Sequence, residues 1–230
     1  MDLGRRAFLR CGLAVLGAVI VSAGARAQRI DPSVEKLMVL VREWRGGDKQ
    51  DETLVPVGKV STNFGGENLN MEFAWYSFLG DMNVVFVFDE PHSFRHVTAE
   101  EFARFHLTPD QAVERAIANI KRVYGTPRVV PYQTGILEIL GASPDLDSSF
   151  LLDRPFWRNL LALYPEGLVA AVPHRGGLAF TPLSNTAGVA ALRRDIAYLH
   201  RSSEKLRISS GLYLFKDDRW TVFQAPALAQ

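Results

Sequence analysis

Residues 82–98 read MNVVFVFDEPHSFRHVT, an apolar run that leads directly into a group of ionisable side chains. The apolar part, 84–88, predicts an inner strand of a sheet. Binding residues concentrate where rigid elements end and loops begin. The candidate binding residues at the end of this strand are Asp89, Glu90, His92 and Arg95.

The sequence before this run predicts its neighbour in the sheet. From Leu69 to Trp75 apolar and polar residues alternate, which indicates a strand with one buried face. Gly80-Asp81 suits a tight hairpin turn, so the chain would return antiparallel through 84–88. We expect the chain to leave the sheet at Asp89 and to form a loop over residues 90–97.

Two capping boxes predict consecutive helices after this loop. Residues 98–101 read TAEE and residues 108–111 read TPDQ, so a threonine stands three positions before an acid or an amide. The second helix carries an apolar stripe that would cover the sheet. An earlier amphipathic helix is predicted over residues 31–46, although the continuous apolar run at 37–41 also suits a strand.

The rest of the chain alternates short strands with helices. Strands are predicted at residues 135–140 and 149–152, helices from residues 153 and 186, and hairpins at 168–181 and 212–223. Adjacent strands joined by tight turns and mixed with helices indicate an α+β fold. We expect a mixed or antiparallel sheet built from hairpins and meanders, with amphipathic helices packed on it. Residues 28–230 would form one globular domain, or two lobes that meet near 125–148.

The first 27 residues have the pattern of a cleaved signal peptide. Arg5 and Arg6 precede an apolar run over residues 11–24, which is too short to span a membrane. The run ends in a small-x-small cleavage pattern, in which the small residues are Ala25 and Ala27. Because residues 4–10 resemble the twin-arginine motif, we expect export through the Tat translocon and removal of the leader by signal peptidase. The protein would then be periplasmic or secreted, without a stable membrane span; a Sec-type signal is the alternative.

Charge and cysteine content exclude several functions. Without residues 1–27 the chain would carry 22 basic and 24 acidic side chains, which gives no basic footprint for nucleic acid. Cys11, the only cysteine, lies within that leader. The exported chain would therefore have no disulfide, no thiol nucleophile and no zinc–thiolate site.

The remaining chemistry is sparse. Asp89, Glu90, His92 and His96 offer oxygen and nitrogen donors that suit zinc or manganese, but on a loop they would not face one ion, so we expect no metal site. No nucleophile elbow and no nucleotide-binding glycine motif occurs, so no cofactor is predicted. His174-Arg175, at the tip of the 168–181 hairpin, is a candidate anion-binding pair, because an arginine fork binds carboxylate or phosphate.

Four segments carry a resemblance to a known family: VFDEPHSFRHVT at 87–98, LTPD at 107–110, SSFLLD at 148–153 and VAAVPHR at 169–175. Together they resemble the DUF1444 group, also called UPF0354, over residues 84–181. That family is uncharacterised, so the resemblance implies a fold and no activity. Gly176 stands where the family pattern has an acid after the arginine, and the leader is unlike that of the cytosolic members.

These observations favour an exported binding or accessory protein of the cell envelope. In this hypothesis Asp89, His92 and Arg175 belong to one functional surface. The alternatives are a cofactor-free hydrolase that uses Asp89 or Glu90 as base with His92, and a structural partner in an envelope assembly. The sequence does not decide whether the protein is an enzyme, and it indicates no catalytic residue beyond that alternative.

Overall fold

A computed structural model describes residues 32–64, 67–133 and 135–227. The first part of the chain forms β1 (Leu37–Glu43), β2 (Val55–Pro56), β3 (Lys59–Phe64), β4 (Glu67–Glu72), β5 (Trp75–Ser77), β6 (Met82–Glu90), β7 (Ser93–His96), α1 (Ala99–Ala103) and α2 (Pro109–Tyr124). The second part forms β8 (Arg128–Gln133), β9 (Ile136–Leu140), α3 (Pro144–Asp147), α4 (Arg154–Leu163), β10 (Leu168–Ala171), β11 (Leu178–Pro182), α5 (Thr186–Ser202), β12 (Leu212–Lys216) and β13 (Arg219–Gln224). Short 3₁₀ segments cover Pro32–Lys36, Ser148–Leu152 and Glu204–Leu206.

Strand β6 is the inner strand of the first sheet, as predicted. It pairs antiparallel with β1 on one side and with β5 and β7 on the other. The register sets Arg42 opposite Asn83 and Leu37 opposite Phe88. Every residue of β6 up to Phe88 is buried, which explains why the run contains almost no polar residue.

The second sheet is antiparallel throughout and has the order β13-β12-β10-β11-β9-β8. Both faces of β10 are covered. Leu168 and Ala170 belong to the main core, whereas Val169 and Ala171 contact the apolar stripe of α5. Helices and hairpin-built antiparallel sheets therefore occur together, and the predicted α+β class is confirmed.

The main core joins the two sheets into one cluster of apolar side chains. Phe86 and Phe88 of β6 contact Phe102 and Phe105, which come from α1 and the residues after it. On the side of the second sheet, the fully buried Trp157 of α4 packs against aromatic rings of β11, β12 and β13. Each large side chain of this kind contributes about 1.5–3 kcal/mol when it is buried.

Four local predictions were wrong. The strand expected from Leu69 to Trp75 is divided, because residues 69–72 belong to β4, which pairs with β3 in a separate two-stranded sheet, and β6 pairs instead with β5, which begins at Trp75. The helix expected over residues 31–46 is a 3₁₀ turn followed by β1, because the run at 37–41 pairs with β6 along its whole length. Residues 149–152 belong to a 3₁₀ segment and not to a strand. Residues 93–96 form β7, so the chain does not leave the sheet at Asp89, and only a tight turn separates β6 from β7.

No helix among residues 32–64, 67–133 and 135–227 is long and apolar enough to cross a membrane. The predicted signal peptide, with Arg5, Arg6, Ala25 and Ala27, lies outside the residues that the structure describes.

Candidate functional site

The β6–β7 hairpin carries the first group of predicted binding residues. Asp89 is half-buried and accepts a hydrogen bond of 2.6 Å from the Tyr124 hydroxyl. This bond raises the pKa of Tyr124 to about 12. Arg95 donates to Glu90 and to Glu101, each at 3.1 Å. These contacts join the hairpin to α1 and α2, while His92 lies exposed at the turn of the hairpin.

Arg95 also lies over the ring of Phe88, with its guanidinium carbon 4.8 Å from the ring centroid. Glu101, one of its carboxylate partners, completes the capping box at the start of α1. Exposed pairs of this kind contribute little to stability individually. Glu90, Arg95 and Glu101 form a surface ion-pair network. In this network the arginine is paired with both carboxylates.

The second predicted pair lies between β10 and β11. His174 is half-buried, and burial lowers its pKa. Its backbone pairs with that of Arg207, which follows the last 3₁₀ segment. Arg175 Nη1 is 3.7 Å from Asp145 Oδ1, and the Arg175 carbonyl accepts a bond of 3.1 Å from the Ser148 N–H.

The polar contacts of the two groups do not overlap. Asp89 and Arg95 bond to Tyr124, Glu90 and Glu101, whereas Arg175 contacts Asp145, Ser148 and Leu206. Among the described residues, no hydrogen bond or ion pair joins Asp89 or His92 to Arg175.

A cleft of about 690 Å³ was not predicted from the sequence. We call it the Asp81 cleft. It lies where the end of β1, the start of β6, the end of α5 and the strand ends of β12 and β13 meet. Its ionisable lining residues are Glu43, Arg45, Asp48, Asp81, His200, Arg201 and Arg207. The segment 225–227 forms an apolar part of the wall, and the Ala227 N–H donates to Ser210 Oγ at 2.8 Å.

Asp81 is the buried acid of this cleft. Only 8% of its surface is exposed, and its Oδ1 accepts a bond of 3.2 Å from the Tyr213 hydroxyl. Tyr213 in turn lies 2.6 Å from Ser209 Oγ, which accepts a bond from the Gly211 N–H. Burial raises the pKa of Asp81 to about 6, although the hydroxyls of Ser209 and Tyr213 oppose this by stabilising the carboxylate.

His200 and Arg207 form the basic side of the Asp81 cleft. His200 Nε2 is 3.6 Å from Glu43 Oε1, and burial lowers the pKa of His200 despite that carboxylate. Arg207 Nε is buried and makes no hydrogen bond to any residue that the structure describes. Acidic and basic groups with shifted pKa values thus face one cleft, which is the arrangement that functional sites favour.

The absence of a side chain at Gly80 leaves room for the Tyr213 hydroxyl beside Asp81. The φ of this glycine is +62°, which side-chain-bearing residues rarely adopt, and a Cβ there would collide with the Tyr213 hydroxyl. In sequence, Gly80-Asp81 was interpreted as a hairpin turn, and an aspartate is common in turns. The partner, Tyr213, is 132 positions away, so no local signal could reveal that this acid is buried.

A second cavity, of about 550 Å³, lies between α2 and the start of α4. Its floor is apolar and includes Ile117 and Leu151. Its cations are paired within the chain: Lys121 with Asp153 at 2.5 Å, and Arg154 with Glu52 at 2.8 Å. Because these charges are already neutralised, the Asp81 cleft is the stronger candidate for a polar ligand.

Within residues 32–64, 67–133 and 135–227, no group of three or more His, Cys, Asp or Glu side chains could hold a metal ion. No protein family model, no curated protein and no solved structure matches the chain. The resemblance to the DUF1444 group stays a prediction.

Proposed function

We propose that this protein is an exported binding or accessory protein of the cell envelope, and that its ligand occupies the Asp81 cleft. The observation that supports the proposal is a cleft of ligand-sized volume whose wall holds a buried acid of raised pKa. Small-molecule sites commonly measure about 300–1,000 Å³ and contain a few convergent polar groups. The cleft fits this description in both respects.

The residues that line the cleft favour a small ligand with two kinds of group: one anionic group, and one group that is cationic or donates hydrogen bonds. Arg207 and Arg201 can pair with a carboxylate of the ligand, and an arginine with free donors does so strongly. Glu43 and Asp81 can accept from an ammonium group. Free dipeptides and amino sugars with a carboxylate have this combination of groups and fit the volume.

A ligand panel tests the proposal. Purified protein without its leader is screened by thermal shift against free dipeptides, acidic amino sugars and short dicarboxylates. We expect at least one compound to raise the melting temperature, and Arg207→Gln to weaken its binding by about tenfold or more, equal to about 1.4 kcal/mol. Arg104→Gln is the matched control, because Arg104 is exposed and forms an ion pair with Glu100 of α1.

Two results would argue against this site. One is a panel in which no compound raises the melting temperature. The other is binding that Arg207→Gln and Asp81→Asn leave as tight as in the wild type. Circular dichroism and the melting temperature without ligand show whether each variant is folded.

An acid–base enzyme is the second candidate, and the raised pKa of Asp81 favours it. A general acid works best when its pKa lies near the operating pH, and Asp81 has a pKa of about 6. Asp89 and Asp81 each accept a bond from a tyrosine hydroxyl, but Asp81 lines the cleft of about 690 Å³, so a hydrolase would use Asp81 more readily. Hydrolysis of 4-nitrophenyl esters or glycosides, with an inflection near that pKa that Asp81→Asn abolishes, would establish this activity.

Export belongs to the same proposal and depends on Arg5 and Arg6 of the leader. Replacing both by lysine should stop export if the twin-arginine system carries the protein, because that system requires the arginine pair. Fractionation of cells and intact mass of the exported chain provide the measurement. The mature protein should begin at Gln28. Normal export of the lysine variant would instead indicate a Sec-type signal.

A further inference from the structure

The cavity of about 550 Å³ between α2 and the start of α4 has an apolar floor, and we call it the α2–α4 cavity. Phe78, Leu151 and Trp220 line it and are at most 4% exposed. Val113 and Ile117 line it from α2, where residues four positions apart lie on the same face of the helix. A floor of this kind favours a hydrocarbon group, because removing apolar surface from water stabilises the bound state.

The ring of Trp220 has no donor left for a polar ligand. Its Nε1 donates to the Leu151 carbonyl at 3.2 Å, and the backbone N–H of Trp220 donates to Glu52 Oε2 at 3.1 Å. The ring packs against those of Trp157 and Phe215, with centroids 4.8 and 5.0 Å apart. The largest side chain of the floor is thus fixed in place, and it offers a ligand apolar contact.

The three cations among the described residues that line the α2–α4 cavity are each paired with a carboxylate of the chain. Lys121 and Arg154 have the partners given above. Arg158 is held at two points by Asp218, with distances of 2.7 and 2.6 Å. An anionic ligand would have to displace one of these carboxylates before it could pair with a cation of the cavity.

Two acids of the same lining have no such partner. Asp110 and Glu114 are exposed, lie one turn apart on α2, and make no hydrogen bond or ion pair with another described residue. Glu114 acts on Arg158 through its charge, but the hydrogen bonds of Asp218 contribute more to the raised pKa of that arginine. The side of the cavity formed by α2 therefore carries two negative charges that a ligand can neutralise.

We propose that the α2–α4 cavity binds a single-chain amphiphile with a cationic end, an alkylammonium. Its hydrocarbon chain lies against the apolar floor, and Asp110 and Glu114 accept from its ammonium group, since opposite charges attract most strongly at close range. An amphiphile with an anionic end meets the same two acids and finds no unpaired cation. Among the described residues the cavity shares no lining residue with the Asp81 cleft, so this site does not depend on the ligand of that cleft.

Calorimetric titration with decylammonium, decanol and decanoate tests this site, because these compounds share one hydrocarbon chain and differ in the charge of its end. All three are used below the concentration at which they form micelles. The wild type should bind one equivalent of decylammonium with a dissociation constant of about 1 mM or tighter. Decanol should bind more weakly, and the affinity for decanoate should be lower than that for decylammonium by about tenfold or more.

Removal of the two acids separates the effect of charge from that of the floor. In the double variant Asp110→Asn with Glu114→Gln, decylammonium should bind no more tightly than decanol, and the affinity for decanol should stay as in the wild type. Both positions are exposed, so the variant should fold normally. Glu166→Gln with Glu204→Gln, which removes two exposed acids outside the cavity, is the matched control.

Ala118→Trp tests the position of the hydrocarbon chain. Ala118 is an exposed residue of α2 that lines the cavity, so a large ring there should weaken binding of decylammonium and of decanol by about tenfold or more. Ala190→Trp, at an exposed position of α5, is the matched control. Circular dichroism shows whether each variant is folded.

The proposal is overturned if the wild type does not bind decylammonium, or if decanoate binds as tightly. Unchanged affinity for decylammonium in the double acid variant or in Ala118→Trp would also overturn it.

Discussion

Asp81 shows how one residue can combine a structural and a chemical role. Its carboxylate accepts from Tyr213, so it connects the start of β6 in the first sheet to β12 in the second. The same carboxylate lines the cleft, and its burial raises its pKa to about 6. An ionised acid in such surroundings lowers stability, whereas the protonated acid keeps the hydrogen-bonded chain without a buried charge.

Asp81→Asn should therefore have an effect on stability that depends on pH. In the folded protein the pKa of Asp81 is about 6, above its ordinary value of 3.8. Protonation of Asp81 therefore stabilises the fold fully below pH 3.8, and this stabilisation is lost as the pH rises through 6. Asparagine stays neutral and still accepts from Tyr213. Relative to the wild type, the free energy of unfolding of the variant should increase by up to about 3 kcal/mol between acidic and neutral pH.

Urea denaturation at about pH 4 and at about pH 8 measures this difference. Asp48→Asn, which removes an exposed carboxylate from the same cleft, serves as the control for the general effect of one lost charge. The free energies of unfolding of Asp81→Asn and of the wild type could differ by the same amount at both pH values. This result would show that Asp81 has no raised pKa.

Strand β1 depends on a side chain from another element. Asn119 of α2 is 2% exposed, and its amide donates to the carbonyls of Val34 and Leu37, each at 2.9 Å. These bonds satisfy the backbone where the 3₁₀ turn ends and the strand begins. They also fix α2 on β1, so that one amide group determines both the start of the strand and the position of the helix.

Asn119→Ala should destabilise the protein by about 2–4 kcal/mol, because it leaves two buried carbonyls without a partner. Thermal and urea denaturation provide the measurement. Glu114→Ala, on the exposed face of the same helix, should stay within about 0.5 kcal/mol of the wild type. A loss below about 1 kcal/mol in Asn119→Ala would mean that the start of β1 does not depend on these bonds.

Elements with local signals could be predicted. Both capping boxes are present, at Thr98 with Glu101 and at Thr108 with Gln111, and α1 and α2 begin where these motifs indicated. The hairpins β10–β11 and β12–β13 were also predicted correctly. β1 could not be assigned with certainty, because a run of five apolar residues suits a helix or a strand until its partner strand is known.

At the scale of the whole molecule, the cleft could not be predicted. Glu43, Asp81 and the segment with His200 and Arg207 are far apart in sequence, and they line one cleft of a molecule whose two larger sheets share one core. The predicted residues Asp89, Glu90, His92 and Arg95 are neighbours in sequence, and the structure links Asp89 to α2 and Arg95 to α1. Arg175, another predicted binding residue, lies between β10 and β11 and is 3.7 Å from Asp145 of α3.

The central claim is that the ligand of this protein binds in the Asp81 cleft. The most direct measurement is backbone NMR of the ¹⁵N-labelled protein, titrated with the compound that raises its melting temperature most. Our account predicts that the shifts change at Asp81, His200, Arg207 and residues 225–227, and that the β6–β7 hairpin stays unchanged. Changes confined to that hairpin, or to the cavity between α2 and α4, would contradict it.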